Sequence, residues 1–411
     1  MTRRKRLIKT GLAIALASVT AASVLTISAT RVNSLEVPLQ KRYDFGPSDS
    51  SVVADYLKVT EESIYSKETG YGFSDIANVM AIYQEEAHGI ERDFISYSNT
   101  AFLVDLPNGD YTVSVVSGDI HEPTEFGIRA ESIQKVENTS LHAGQITESD
   151  FEIAVIDGQL SIELTGDQPK INAIVITKLP NRQAAKHPTV YVASDSTAQT
   201  YKRDLKPQAG WGQMLPSYFN KKLTIANHAI GGRSSRTFYT EGRLDNILRE
   251  LKPRDFVLIQ FGHNDATSFV PERYTPVADF KEYMKTYVTG VRQRAGIPIL
   301  ITPVGRRDFD PETEKFNTSF LEYKQAMEEI SKDLDVLLVD LNTSSREYYD
   351  ELGPEGTRSV FLHVDEGTYS AFPEGKTDDT HFQEYGADQI AKMLSEGLVK
   401  LDTTLAEYYK S

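Results

Sequence analysis

Hydrophobic positions along the chain follow two different rhythms, and the change falls near residue 188. From about Leu35 to Leu179 the period is two. Phe102, Val104 and Leu106 alternate with polar neighbours, Pro107-Asn108-Gly109-Asp110 supplies a turn, and Tyr111, Val113 and Val115 alternate again, which predicts a hairpin. Phe151, Ile153 and Val155, then Asp157-Gly158, then Leu160, Ile162 and Leu164 predict a second hairpin, and Ile171, Ala173, Val175 and Thr177 a closing strand. Short strands at this spacing with no helical periodicity between them predict an antiparallel β-sandwich over residues 35–179. Tyr43-Asp44-Phe45-Gly46 and Gly70-Tyr71-Gly72-Phe73 set aromatics beside glycines, and packing of the sandwich is favoured over a sugar-stacking surface. Residues 180–188 lack apolar periodicity, are bounded by prolines, and read as a linker.

Beyond Pro188, short apolar runs at 189–193, 223–229, 256–261, 298–302 and 336–341 alternate with amphipathic stretches. Leu244, Ile247, Leu248 and Leu251 share one helical face; Phe280, Tyr283, Met284, Tyr287 and Val291 share another. Phe316, Phe320, Tyr323, Met327 and Ile330 predict a third helix, and Ile390, Met393, Leu394 and Leu398 the last. This alternation predicts an α/β domain over 189–411: a flavodoxin-like, three-layer α/β/α arrangement with a parallel five-stranded sheet.

In such sheets ligands bind outside the carboxyl ends of the strands, so the strand exits carry the candidate chemistry. Ser196 follows the first run, Gly231-Gly232-Arg233-Ser234 the second, and Gly262-His263-Asn264-Asp265 the third; Asp378-Asp379-Thr380-His381 precedes the final helix. Each stretch has an ordinary structural reading as a turn or helix cap. Four of them on one sheet edge are harder to explain that way. Serine-based ester hydrolysis needs a base for the hydroxyl proton, an acceptor that fixes the base's tautomer, and donors for the oxyanion. His381, Asp378 three residues earlier, the backbone N–H groups of Ser196 and Gly232, and the Asn264 amide can supply these.

Ala193-Ser194-Asp195-Ser196-Thr197, Gly210-Trp211-Gly212, Gly231-Gly232-Arg233-Ser234-Ser235-Arg236, Phe261-Gly262-His263-Asn264-Asp265 and Asp378-Asp379-Thr380-His381 together resemble the SGNH (GDSL-like) hydrolases, and within them the rhamnogalacturonan acetylesterase group. The resemblance spans about residues 189–400. It implies Ser196 as nucleophile, Asp378 and His381 as the other triad members, and Ser196, Gly232 and Asn264 as oxyanion donors. Ser194 stands where that family usually has glycine before the Asp-Ser pair. The preceding sandwich resembles the galactose-binding-like domain that accompanies such esterases.

Charge and composition narrow the setting. Arg3, Arg4, Lys5, Arg6 and Lys9 precede an uncharged apolar stretch, so residues 1–29 read as a signal peptide or N-terminal anchor. Without those five residues, 39 Lys and Arg face 59 Asp and Glu, which disfavours nucleic acid as a partner. Cysteine is absent, which excludes disulfides, thiolate catalysis and a Cys-based zinc site; for a protein exported by that N-terminal pattern, secreted or surface-anchored, it fits a Gram-positive bacterium. Arg233, Arg236, Arg306 and Arg307 also follow strand exits. Arg233 and Arg306 are taken as candidate contacts to a uronate carboxylate, with surface solvation or ion pairing with the many acids as the equal alternative. Trp211 is expected to pack in the core. His263 has no second histidine at ligand spacing, so no catalytic metal is assigned, and no cofactor is expected; whether the sandwich binds sugar, with or without calcium, stays open.

The function implied is an exported serine esterase that deacetylates plant cell-wall polysaccharide, rhamnogalacturonan (pectin) first. Acetylated xylan or another ester is the alternative within that class, and a non-catalytic carbohydrate-binding protein the alternative outside it.

Overall fold

A computed structural model describes residues 38–401 and 403–410. The expected signal peptide or anchor lies outside the described residues. Residues 38–411 form one compact unit, and no helix among the described residues is long and apolar enough to cross a membrane.

The amino-terminal half is a sandwich of two five-stranded sheets. One runs in the order 145–155, 109–119, 173–178, 40–45, 57–59; the other in the order 71–73, 102–105, 159–168, 124–130, 133–141. Every pair is antiparallel except 40–45 with 57–59. Neither expected hairpin forms. Strand 102–105 pairs with 159–162 in one sheet, whereas 109–119 pairs with 145–155 in the other. The turns at 106–109 and 156–158 are therefore arches that carry the chain from sheet to sheet, and they lie side by side, joined by Leu106 N–H donating to the Gly158 carbonyl at 2.9 Å. Alternation cannot tell the two apart, because both put every second side chain into the same core. Phe102, Val104, Tyr111, Val113 and Val115 are all fully buried there. Tyr43, Phe45 and Phe73 are buried as well, and Phe45 meets Phe102 edge to face at 5.0 Å, so these aromatics pack the sandwich.

In the second half, the parallel sheet has the order 224–227, 189–193, 256–259, 297–301, 337–339. Its two faces follow from strand alternation. Val190, Val192, Leu258, Ile299 and Ile301 pack with Ile390, Leu394 and Leu398 of the Glu384–Val399 helix. Tyr191, Ala193, Val257, Ile259 and Leu300 pack with the helices Arg243–Glu250, Val277–Gln293 and Leu321–Asp333. Helices thus cover both faces, as near-continuous apolar strands require.

The third helix differs from expectation at its start. It begins at Leu321, because Phe320 adopts a left-handed φ of 59° that no helix continues through, and Phe316 belongs to a two-residue strand with Lys315. A further helical stretch, Leu341–Gly356, broken at Gly353 where φ is 69°, was not apparent in the apolar pattern.

Two buried carboxylates seat the sandwich on the α/β half. Asp245, 4% exposed, accepts from Lys135 Nζ at 2.7 Å and from the Ala154 N–H at 2.8 Å, while Arg249 Nε lies 2.9 Å away. Asp110 pairs with Arg182 and Arg294, each at 2.6 Å.

Candidate active site

The first parallel strand ends at Ala193, and the turn beyond it is fixed from inside. Thr197 donates its N–H and its hydroxyl to Asp195 Oδ1 at 2.9 and 2.8 Å, and Gln260 Nε2 reaches Thr197 Oγ1 at 2.9 Å and Ser194 Oγ at 3.3 Å. Ser194 is fully buried and stays out of the left-handed region, so serine in place of glycine brings no backbone strain here. Tyr201 donates its hydroxyl to the Ser196 carbonyl at 2.9 Å. Ser196 is the residue this turn presents.

Its partners come from the strand Lys376–Gln383. That strand pairs with Phe361–Val364, but Leu362 faces Asp378 while Phe361 faces Phe382, so residues 379–381 bulge out of the ladder. Inside the bulge, Thr380 and His381 donate their backbone N–H groups to Asp378 Oδ1 at 2.9 and 3.0 Å. The same turn sets His381 Nδ1 at 2.8 Å from Asp378 Oδ2 and His381 Nε2 at 2.9 Å from Ser196 Oγ. Burial by itself would raise the Asp378 carboxyl. The hydrogen bond and charge of His381, with the two backbone donors, outweigh it and hold that carboxyl well below the usual range.

Gly232 has a φ of 79°, and a Cβ there would meet nothing within 4 Å, so its backbone faces open space. Asn264 donates from Nδ2 to the Arg233 carbonyl at 2.9 Å, which ties the third strand exit to the second. Beneath both, Asp265 accepts from Ser235 N–H and Oγ at 3.0 and 2.6 Å and from the Gly262 N–H at 3.1 Å. Full burial pushes the Asp265 carboxyl up to about 7 against those donors. Ser196, Gly232, Asn264 and His381 border one cavity of about 490 Å³.

Residues 195–388 match the GDSL-like Lipase/Acylhydrolase family, and residues 41–175 match a beta-agarase/YXIM esterase-like, galactose-binding domain-like family. The uncharacterized esterase YxiM of Bacillus subtilis (strain 168) is 32% identical over 380 residues, which is 89% of this chain and 93% of the relative. The chain belongs to the GDSL-like lipase/acylhydrolase family. Two further B. subtilis proteins are similar over about half of the chain. The probable rhamnogalacturonan acetylesterase YesY is 42% identical, covering 53% of this chain and 95% of its own length. The rhamnogalacturonan acetylesterase RhgT is 34% identical, covering 54% and 94%. Carboxylic ester hydrolysis is the activity this kinship supports.

The GDSL-like framework disposes of the candidate arginines unequally. Arg233 does not line the cavity: Glu241 holds its Nε at 3.0 Å and the Gly231 carbonyl accepts from Nη1 at 2.8 Å. Arg236 donates to the carbonyls of Pro271, Glu272 and Tyr274, and Arg307 is tied to Asp379 and to the Pro354 carbonyl. Arg306 does border the cavity.

Trp211 is fully buried in the core. A Cβ on Gly210 would come within 2.4 Å of the Gln199 carbonyl oxygen and one on Gly212 within 2.5 Å of that of Ala198, so the glycines on either side let this segment lie against the turn behind Ser196. His263 lies with Nδ1 3.5 Å from Asp195 Oδ2 and its ring centroid 4.5 Å from that of Phe320. No group of three metal-ligating side chains occurs among the described residues.

The cavity also takes residues that the sequence pattern does not single out, among them Tyr201, Phe269 and Arg273. Tyr201 lies in the segment after the first strand exit, and Phe269 and Arg273 in the segment after the third. The rule that loops beyond carboxyl strand ends build the site is the one signal that could have found them.

Proposed function

We propose that this chain is an exported serine esterase that removes acetyl groups from plant cell-wall polysaccharide, with rhamnogalacturonan as its first candidate substrate. The observation that carries the reading is the unbroken line from Asp378 through His381 to Ser196 Oγ, with steps of 2.8 and 2.9 Å, opening on a cavity. In this reading His381 Nε2 takes the Ser196 hydroxyl proton as Oγ attacks the acetyl carbonyl carbon. Negative charge gathers on the former carbonyl oxygen, where the N–H groups of Ser196 and Gly232 and the second N–H of the Asn264 amide serve as donors. Collapse breaks the bond to the sugar oxygen, which leaves with the proton from His381. Water, deprotonated in turn by His381, then releases acetate from acetyl-Ser196. Asp378 stays ionised throughout, and its depressed pKa suits that role.

The polysaccharide follows from two supports: the names of YesY and RhgT, and the charge of the cavity. Arg273 and Arg306 border it and, unlike Arg233 and Arg307, take part in no ion pair among the described residues. In a chain of formal net charge −15, cations left unneutralised at a site suit an anionic substrate such as a uronate-containing glycan. Export rests on the basic and apolar pattern of residues 1–29.

Acetate release from acetylated rhamnogalacturonan and from acetylated xylan, with Ser196→Ala alongside, tests this reading. Release from the first glycan alone, abolished in the variant, is the expected result. Release from both keeps the mechanism and removes the pectin assignment. A folded protein that releases none supports the carbohydrate-binding alternative.

A further inference from the structure

Phe269 is 84% exposed, yet it borders the catalytic cavity and belongs to none of the three hydrophobic cores. Its exposure is not that of a loose loop. Residues 264–275 are cross-braced by their own backbone: Thr267 N–H donates to the Asn264 carbonyl, Val270 N–H to that of Thr267, and Thr275 N–H to that of Asp265, all at 3.0–3.1 Å. From below, the buried Tyr323 hydroxyl reaches the carbonyls of Asp265 and Thr275 at 3.1 and 2.8 Å. Arg236 holds the far side by the carbonyls of Pro271, Glu272 and Tyr274, at 2.9, 3.0 and 3.0 Å. A pinned loop thus keeps a large aromatic ring in water at the rim of the site.

Arg273 lies four residues further on, borders the same cavity, and has its Nε buried with no hydrogen-bond partner. Its Nε is out of a ligand's reach, but the guanidinium forms no ion pair among the described residues, and a carboxylate in the cavity is the group its outer N–H groups pair with best. On the wall of one cavity, an open aromatic face and a guanidinium free of ion pairs match a glycan that offers an apolar ring face and a carboxylate. A fatty acyl chain matches them poorly, since it calls for an enclosed apolar slot and offers nothing to the cation.

We propose that Phe269 and Arg273 form a second sugar subsite beside the acetyl pocket, where a sugar of the glycan chain stacks on Phe269 and a uronate carboxylate of the same chain pairs with Arg273. The subsite deepens the esterase reading and rests on it. It makes the preferred substrate a glycan of at least two residues.

The test separates binding from turnover. Full-length Ser196→Ala protein is titrated calorimetrically with saponified rhamnogalacturonan oligosaccharides and, separately, with neutral xylo-oligosaccharides. Adding Phe269→Ala is expected to weaken the first about tenfold, a loss of the size one aromatic contact supplies. Phe269→Trp should restore it. Adding Arg273→Gln is expected to weaken the uronate-containing ligand severalfold and to leave the neutral one as it was. In the active enzyme, Phe269→Ala should raise KM for the acetylated oligosaccharide more than it lowers kcat. Affinities within twofold of the parent in both variants would overturn the subsite, as would a Phe269→Ala defect confined to 4-nitrophenyl hexanoate. The esterase reading fails separately, if the parent enzyme releases no acetate while the calorimetric losses appear.

Discussion

Two aspartate–histidine pairs flank Ser196, and they differ in what lies beyond the histidine. Asp195, the residue just before the serine, is fully buried; its Oδ1 is taken by Thr197, and its Oδ2 faces His263 Nδ1 at 3.5 Å, too far for a good hydrogen bond. Asp378 comes from the far end of the chain and meets His381 Nδ1 at 2.8 Å. Burial would raise both carboxyls, and in both the facing histidine and local N–H or O–H donors reverse the sign. Both carboxyls are therefore shifted in the same direction. The distinction is geometric: His381 Nε2 reaches the Ser196 hydroxyl, whereas His263 Nε2 is buried without a hydrogen-bond partner. An acid beside an imidazole orients a base, and the base does chemistry only where its other nitrogen meets a proton to move.

Substitutions can break this comparison. His381→Ala should lower kcat by roughly 10⁵-fold or more, whereas His263→Gln should cost less than about tenfold, because it removes packing against Phe320 and no proton acceptor. Equal losses, measured as acetate release, would mean that the two pairs share the chemistry. Asp378→Asn should cost about 10⁴-fold in kcat with little change in KM, since the histidine then loses the partner that fixes its tautomer. Asn264→Ala should cost about 10²- to 10³-fold in kcat through the missing oxyanion donor.

The smallest effects are on stability against pH, and two carboxyls pull in opposite directions. Asp378 is depressed, so its contribution is full above the unfolded value of about 4 and fades as pH falls through its lower folded value. Asp265 is raised to about 7, so the folded state holds its proton where the unfolded chain has released it. Stability is then lost as pH rises from about 4 to about 7. Thermal midpoints of Asp265→Asn, compared with the parent across that window, should fall less steeply. A parallel curve would remove Asp265 from the account.

Much of this was legible in the chain. The five parallel strands showed as apolar runs because both their faces are buried, and the Asp-x-x-His spacing showed because a single turn suffices to join its side chains. The sandwich strands were legible but their pairing was not. Phe102 to Val115 records which side chains face inward, and an arch between sheets buries the same ones as a hairpin would. That the Asp378–His381 turn is a bulge in a strand was hidden too, since it depends on Phe361 and Leu362 in the neighbouring strand. Arg233 stayed open between substrate and ion pair for a similar reason: its position after a strand exit is visible in sequence, but the pull of Glu241 eight residues on is not. Phe269 and Arg273 lie in a segment with no periodicity, and Arg236, which holds it, comes from the preceding strand exit.

The carboxylate seats between the two halves bear on how the molecule behaves once its covalent continuity is lost. Residues 180–188 are largely exposed, and a protease would cut there readily. The fragments would nonetheless stay together. Asp245 would still hold Lys135 and the Ala154 N–H, and Arg294 would still hold Asp110, so the nicked enzyme should migrate as two bands under denaturing conditions and as one particle under native ones.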